Sequence, residues 1–230
     1  MRSITTIAFD ADDTLWHNER HFDTARLRLQ ALLADHGDGA TVDATLHAAE
    51  VANLPLYGFG VKGFTLSMIE TADRLTGGAV SFEPILAIGK EMLAYPIELL
   101  PGVEEALDAL SGYRLLVITK GDLFDQERKL ESSGLIDRFD GVHIVSRKDE
   151  ATYRRIFDAD AQGPARSMMV GNAPRSDIAP PLAIGAHAVH VPHDLSWDFE
   201  DAALPERHDR LHRIADLSEL PGVVARLRKR

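Results

Sequence analysis

The segment Phe9-Asp10-Ala11-Asp12-Asp13-Thr14-Leu15 follows a short apolar run and carries two aspartates one residue apart, with a third directly after them. Carboxylates so close repel each other, which favours a bound metal or a shared proton. One of the first two could ligate a cation and attack phosphorus, while the other holds a proton for a leaving group. A plainer reading is also open: three acids that solvate a turn or cap a helix.

Three further positions could serve the same chemistry. Thr119, in Leu115-Leu116-Val117-Ile118-Thr119-Lys120-Gly121, offers a hydroxyl to a phosphoryl oxygen, and Gly121 lets the backbone come close. Lys148, in Ser146-Arg147-Lys148-Asp149-Glu150, would offset carboxylate repulsion and steady a transferring phosphoryl group. Asp177 closes the run Gly171-Asn172-Ala173-Pro174-Arg175-Ser176-Asp177 and would complete an oxygen-rich magnesium site. Each is weak alone. Strands often end in Thr before a Gly turn, surface lysines are common, and an acid at a helix start answers the helix dipole. Their order carries more weight: acid pair, hydroxyl, lysine and acid, each at the end of a successive strand.

Five runs have the composition of those strands: Thr5 to Phe9, Tyr113 to Ile118, Gly141 to Ser146, Met168 to Gly171 and Ala188 to Pro192. The first, second and fourth are almost continuously apolar, as strands covered on both faces are. From the second strand onward a helical stretch separates each from the next, which predicts an α/β fold with a parallel sheet. Such a sheet binds its ligand beyond the carboxyl ends of its strands, where all four signals fall. Between Leu15 and Leu100 there is no strand pattern. Helical stripes run through Phe22, Ala25, Leu29 and Leu32, through Met68, Ile69, Ala72 and Leu75, and through Ile85, Ile88 and Met92. Breakers at 36–39, 58–60 and 77–78 separate them. The chain is therefore expected to form an α/β core from residues 1–15 and 100–230, with an all-helical domain inserted over 16–99.

On these residues the sequence resembles the haloacid dehalogenase-like (HAD) hydrolase superfamily, in its phosphatase branch with a helical cap after the first motif. The resemblance spans the whole chain and includes Leu100-Pro101-Gly102-Val103 ahead of the second strand. It implies a Rossmann-like core of about five strands. It makes Asp10 the nucleophile that becomes an aspartyl phosphate, and Asp12 the acid and base. Thr119, Lys120 and Lys148 would hold the phosphoryl oxygens. Mg2+ would sit on the Asp10 carboxylate, the Asp12 backbone carbonyl and Asn172 or Asp177. Tyr57, Phe59 and Lys62, in an aromatic and glycine-rich stretch of the cap, are candidate substrate contacts; packing at a helix start is the alternative. The implied substrate is a small phosphorylated metabolite.

Two positions depart from the family pattern. Asp13 stands where Gly is commonest, though Asp tolerates unusual backbone better than most residues. Asn172 stands where an acid is usual, so its oxygen would ligate a cation without charge. That leaves open a weak or non-catalytic binding protein with the same fold. Dehalogenases of the family lack a carboxylic acid at the Asp12 position, because halide departs without a proton; Asp12 therefore favours phosphate esters. A phosphorylated signalling receiver would share the Asp, Thr and Lys but not the long insert.

Composition narrows the partners. A net charge of −11 disfavours nucleic acid and anionic membrane. The one dense basic run, Arg226 to Arg230, reads as a solvated helix end. With no cysteine there is no disulfide, thiolate chemistry or cysteine-bound zinc. His187, His190, His193, His208 and His212 suggest a metal by spacing, but no acid pattern supports one. No apolar run is long enough for a signal sequence or a membrane span, so a cytoplasmic protein is expected.

Overall fold

The computed structural model describes residues 3–195 and 197–228. Of the features singled out above, Met1, Arg2 and the last two residues of the basic run, Lys229 and Arg230, lie outside them.

Among the described residues six strands form one sheet: β1 (Thr6–Phe9), β2 (Arg114–Lys120), β3 (Gly141–Val145), β4 (Ser167–Gly171), β5 (His187–His190) and β6 (Leu211–Arg213). Their order is β3-β2-β1-β4-β5-β6, and every pairing is parallel. This is the expected α/β parallel sheet, with one strand more than the five read from sequence. β6 is three residues long and reads Leu-His-Arg, too short and too polar for a pattern to reveal. β2 also runs one residue past Thr119. The strands that look continuously apolar are the buried ones: β1 and β4 are buried at every position, while β3, at the edge, is not.

The chain divides into two compact units. The first comprises the described parts of Met1–Glu19, Ile97–Lys120 and Lys129–Arg230, and the second Arg20–Pro96 with Gly121–Arg128. In the second unit α1 (Glu19–Leu32), α2 (Gly39–Tyr57), α3 (Val61–Thr76) and α4 (Glu83–Ala94) bury a common core of Leu29, Leu33, Leu46, Phe64, Met68 and Ile85. Three of these helices follow the stripes read from sequence. The fourth, α2, carries no clear stripe, because its buried face (Val42, Leu46, Ala49) ends in Asn53 and Pro55 interrupts its last turn. The glycine breakers end helices as expected: Gly77 adopts φ 60° and its N–H closes α3 on the Asp73 carbonyl at 2.8 Å.

In the first unit α5 (Val103–Ala109) precedes β2. Helix α6 (Leu123–Ser132) follows β2 and has residues in both units. Then come α7 (Glu150–Asp160), the short α8 (Ala179–Ala183) and the C-terminal α9 (Leu220–Arg228). Side chains alternate across the strands, so each face of the sheet has its own core. Ile7, Phe9, Val117 and Met168 pack with Leu107 of α5 and Val223 of α9, while Ala8, Leu116, Ile118 and Met169 pack with Tyr153, Ile156 and Phe157 of α7.

Candidate active site

β1 ends one residue before Asp10, whose backbone N–H continues the sheet by donating to Val170 of β4 at 2.9 Å. Its carboxylate is buried and ion-paired to Lys148 Nζ. Lys148 lies between β3 and α7, just before Asp149, which caps α7 by accepting from the Thr152 N–H at 2.8 Å. The same ammonium donates to Asp177 Oδ1 at 2.7 Å. One buried cation thus serves two buried carboxylates. Burial pushes the Asp10 carboxyl up to about 7, with the charge of Asp177 adding to it and Lys148 opposing both. Burial alone would pull Lys148 down; the two carboxylates outweigh it and hold the ammonium charged.

Asp177 was expected at the start of a helix. It sits in a π-helical turn, Pro174–Ile178, ahead of α8, and is fully buried. Both oxygens are engaged, Oδ1 by Lys148 and Oδ2 by the backbone N–H of Ala173 at 3.1 Å. The turn closes against Gly171: a Cβ there would come within 2.6 Å of the Asp177 Cβ, so only glycine leaves room for the carboxylate. Asn172, next in the chain, points its Oδ1 to the Thr14 hydroxyl at 3.3 Å, and that hydroxyl lies equally far from Asp10 Oδ2.

Asp12 is partly exposed and turned to other partners. Trp16 Nε1 donates to its Oδ1 at 2.8 Å, and Lys129 Nζ reaches its two oxygens at 3.0 and 3.1 Å. Lys129 also donates to Asn18 Oδ1 at 2.7 Å. Asp13 adopts φ 59°, the conformation for which glycine is favoured. Its buried carboxylate accepts the backbone N–H groups of Asn18 and Glu19 and lies 3.5 Å from His193. Burial pushes that carboxyl up to about 6, against the lowering effect of the Asn18 N–H.

Thr119 is buried at the end of β2, and its hydroxyl lies 3.3 Å from the Lys120 carbonyl. Lys120, expected to hold phosphate, is ion-paired to Glu200. Tyr57, Phe59 and Lys62 all lie in the helical unit. Tyr57 ends α2 with half its surface exposed, Phe59 follows in the turn, and Lys62 in the first turn of α3 pairs with Asp122 at 2.8 Å. The histidines find ordinary partners. His187 and His212 stack with nitrogens 3.3 Å apart, His190 meets the Asn172 carbonyl, and His193 the Leu195 carbonyl. Thr14 was visible in the motif but not recognised. Lys129 and Glu200 had no local signal, because each meets the site from across the fold.

The donor set suits a hard cation. Asp10 Oδ2 and Asn172 Oδ1 converge on one hydroxyl, both are oxygens, and the carboxylates outnumber the ammonium groups around Asp10. Magnesium takes oxygen ligands, keeps several waters and needs only one or two carboxylates. Asp10 and Asn172 would hold it with the Asp12 carbonyl, while both Asp177 oxygens are already taken by Lys148 and the Ala173 N–H. Among the described residues no group of three or more His, Cys, Asp or Glu is arranged to hold a metal. No helix among them is long and apolar enough to cross a membrane.

Comparison with known proteins places these features in a family. The model of the haloacid dehalogenase-like hydrolases matches residues 4–185. A haloacid dehalogenase-like family hydrolase from Xanthomonas campestris shares 39% identity over 98% of this chain and 92% of its own, with a TM-score of 0.87. The HAD-hydrolase YfnB from Bacillus subtilis, solved bound to magnesium, shares 16% over 97% and 99%, with a TM-score of 0.68. The L-2-haloacid dehalogenase from Xanthobacter autotrophicus, solved with chloropropionic acid covalently bound, shares 16% over 96% and 98%, with a TM-score of 0.66. At those identities the last two are alike in fold alone. No curated protein matches the chain.

Proposed function

The chain belongs to the haloacid dehalogenase-like hydrolases, and within that family we propose that it is a magnesium-dependent phosphatase acting on a small phosphate monoester. The observation that carries this reading is Asp12, a carboxyl group two residues after the nucleophile position. An alkoxide needs a proton to leave and a halide does not. In the first step an Asp10 oxygen attacks phosphorus, the ester P–O bond breaks, and Asp12 supplies the proton to the departing alcohol. In the second, Asp12 takes a proton from water as the water oxygen bonds to phosphorus and the Asp10–phosphorus bond breaks. Lys148 and Thr119 hold phosphoryl oxygens in both steps, and the fixed ammonium offsets charge as it develops. Asp177 acts through Lys148 by orienting it. Bound magnesium would supply further charge neutralisation at the phosphoryl oxygens. We read 16–99 as the cap that limits bulk water and contacts the leaving group through Tyr57, Phe59 and Lys62. The substrate would be a phosphorylated metabolite of the cytoplasm.

A second reading has its own support. Asp12 already accepts hydrogen bonds from Trp16 and Lys129, and a carboxylate held ionised by them lacks the proton that the first step needs. Dehalogenation needs no proton donor at that position. Release of inorganic phosphate from p-nitrophenyl phosphate with and without Mg2+, beside halide release from 2-chloropropionate, separates the two. Magnesium-dependent phosphate release alone is expected; halide release without phosphate release would sink the phosphatase reading.

A further inference from the structure

The segment Trp197–Asp201 is tied to the rest of the core unit at two points. At one, Glu200 pairs with Lys120, the last residue of β2. At the other, Arg175, in the turn beyond β4, donates to the Phe199 carbonyl at 2.8 Å and lies over the Phe199 ring at 4.8 Å. β2 and β4 are the two neighbours of β1, so the strap is tied to the last residue of one neighbour, next to Thr119, and to the turn that follows the other and carries Asp177. Its charge is felt at the site: burial pushes up the Tyr153 phenol, and Asp177, Asp10 and Glu200 all add to that shift. The strap is walled with aromatic rings, Trp197 and Phe199 stacking at 5.0 Å. In the strap and in the turn that holds Arg175, two buried polar atoms, Glu200 Oε2 and Ser176 Oγ, have no hydrogen-bond partner among the described residues. Buried polar atoms are nearly always paired, and exceptions mark places where water or a ligand group belongs.

We propose that Trp197–Asp201 is a substrate selector carried by the core itself, with Phe199 as its specificity-determining residue. It admits compact phosphate esters, with leaving groups of a few carbons, and turns away bulky ones. A rigid ring pinned by a guanidinium and a neighbouring indole cannot be displaced as freely as a loop tip. The inference rests on Asp10 as the reacting group and deepens the phosphatase reading by naming the shape of its substrate.

The full-length enzyme and its Phe199→Ala variant would be compared on glycerol 1-phosphate and 1-naphthyl phosphate. Phe199→Ala trims the ring but keeps both ties, since Arg175 holds a backbone carbonyl. The ratio of kcat/KM for the naphthyl ester to that for the glycerol ester should rise about tenfold, the discrimination that a small change of pocket volume gives. The double variant Arg175→Ala/Glu200→Ala, which unties the strap, should move the ratio the same way, and Phe199→Leu by less. A ratio within twofold of wild type in folded Phe199→Ala and in the double variant overturns the proposal. Binding of both esters to Asp10→Asn protein, with and without Phe199→Ala, gives the same ratio by calorimetry without turnover. If the wild type hydrolyses neither ester, the phosphatase reading fails and the binding ratio alone decides for or against the strap. No binding of either ester counts against both.

Discussion

Asp10 and Asp177 share one ammonium, and their other contacts divide the labour between them. Among the described residues Asp10 Oδ2 meets the Thr14 hydroxyl at 3.3 Å, whereas both Asp177 oxygens accept from fixed N–H donors. Asp10→Asn should reduce phosphatase turnover below about a hundredth of wild type, because an amide cannot replace the nucleophile and a positioned catalytic group contributes about that much or more; retained turnover would remove Asp10 from its role. Asp177→Asn should act on stability first. An amide has one acceptor, so either Lys148 or the Ala173 N–H must face an NH2 group, at a loss of about 2 kcal/mol. Asn172→Asp should instead lower the magnesium concentration needed for half-maximal activity, because it adds charge beside Asp10. Urea unfolding and magnesium titration of both variants check this. A normal magnesium response in Asn172→Asp, with a lost one in a stable Asp177→Asn, would move the metal to Asp177.

At the scale of elements, the loop after β1 is fastened by Asp13. Its left-handed backbone and its bonds to the Asn18 and Glu19 N–H groups act together. Substitution separates them. Asp13→Gly loses the bonds but keeps the backbone freedom, while Asp13→Ala loses the bonds and adds the left-handed penalty of about 1 kcal/mol. Asp13→Ala should therefore be the less stable variant by roughly that amount in urea unfolding; equal stabilities would show that the backbone conformation is not strained. The sequence showed that an aspartate stood in a glycine place and tolerated it, but not that the same carboxylate fastens the chain five residues on. A similar limit applied to α2, whose Asn53 and Pro55 disguise a helix that packing on α3 sustains.

At the scale of the whole molecule, the outer pair β5–β6 carries an acid-sensitive contribution, set against Asp10 and Asp13, whose raised carboxyls favour the folded chain as pH falls. Burial, then the charge of Arg210, lowers the His187 imidazole to about 4. An unfolded histidine titrates near 6.5, so between those values the unfolded chain binds the extra proton. The contribution of His187 is complete above pH about 6.5 and is lost as pH falls towards 4. With a discount for solvent near the end of β5, the loss is roughly 2 kcal/mol. His187→Gln, which cannot charge, should show a flatter fall of melting temperature between pH 7 and 4, values that bracket the titration. A wild-type profile in His187→Gln would show that other groups govern acid unfolding.

The chain by itself determined the parallel α/β core, the helical stretch and the family, because these rest on local signals: apolar runs long enough to be buried, glycines that must break helices, and short motifs with fixed spacing. It placed Asp10, Asp12, Thr119, Lys148, Asn172 and Asp177 at the ends of strands for the same reason. What it left open depended on residues far apart in sequence. That Lys148 bridges Asp10 and Asp177, that Lys129 holds Asp12 across 117 positions, and that Glu200 takes Lys120 were decided by the sheet order, which sets β1 between β2 and β4. A side chain's partner is fixed by which strand lies beside it, and strand order is a property of the folded sheet that no local pattern encodes.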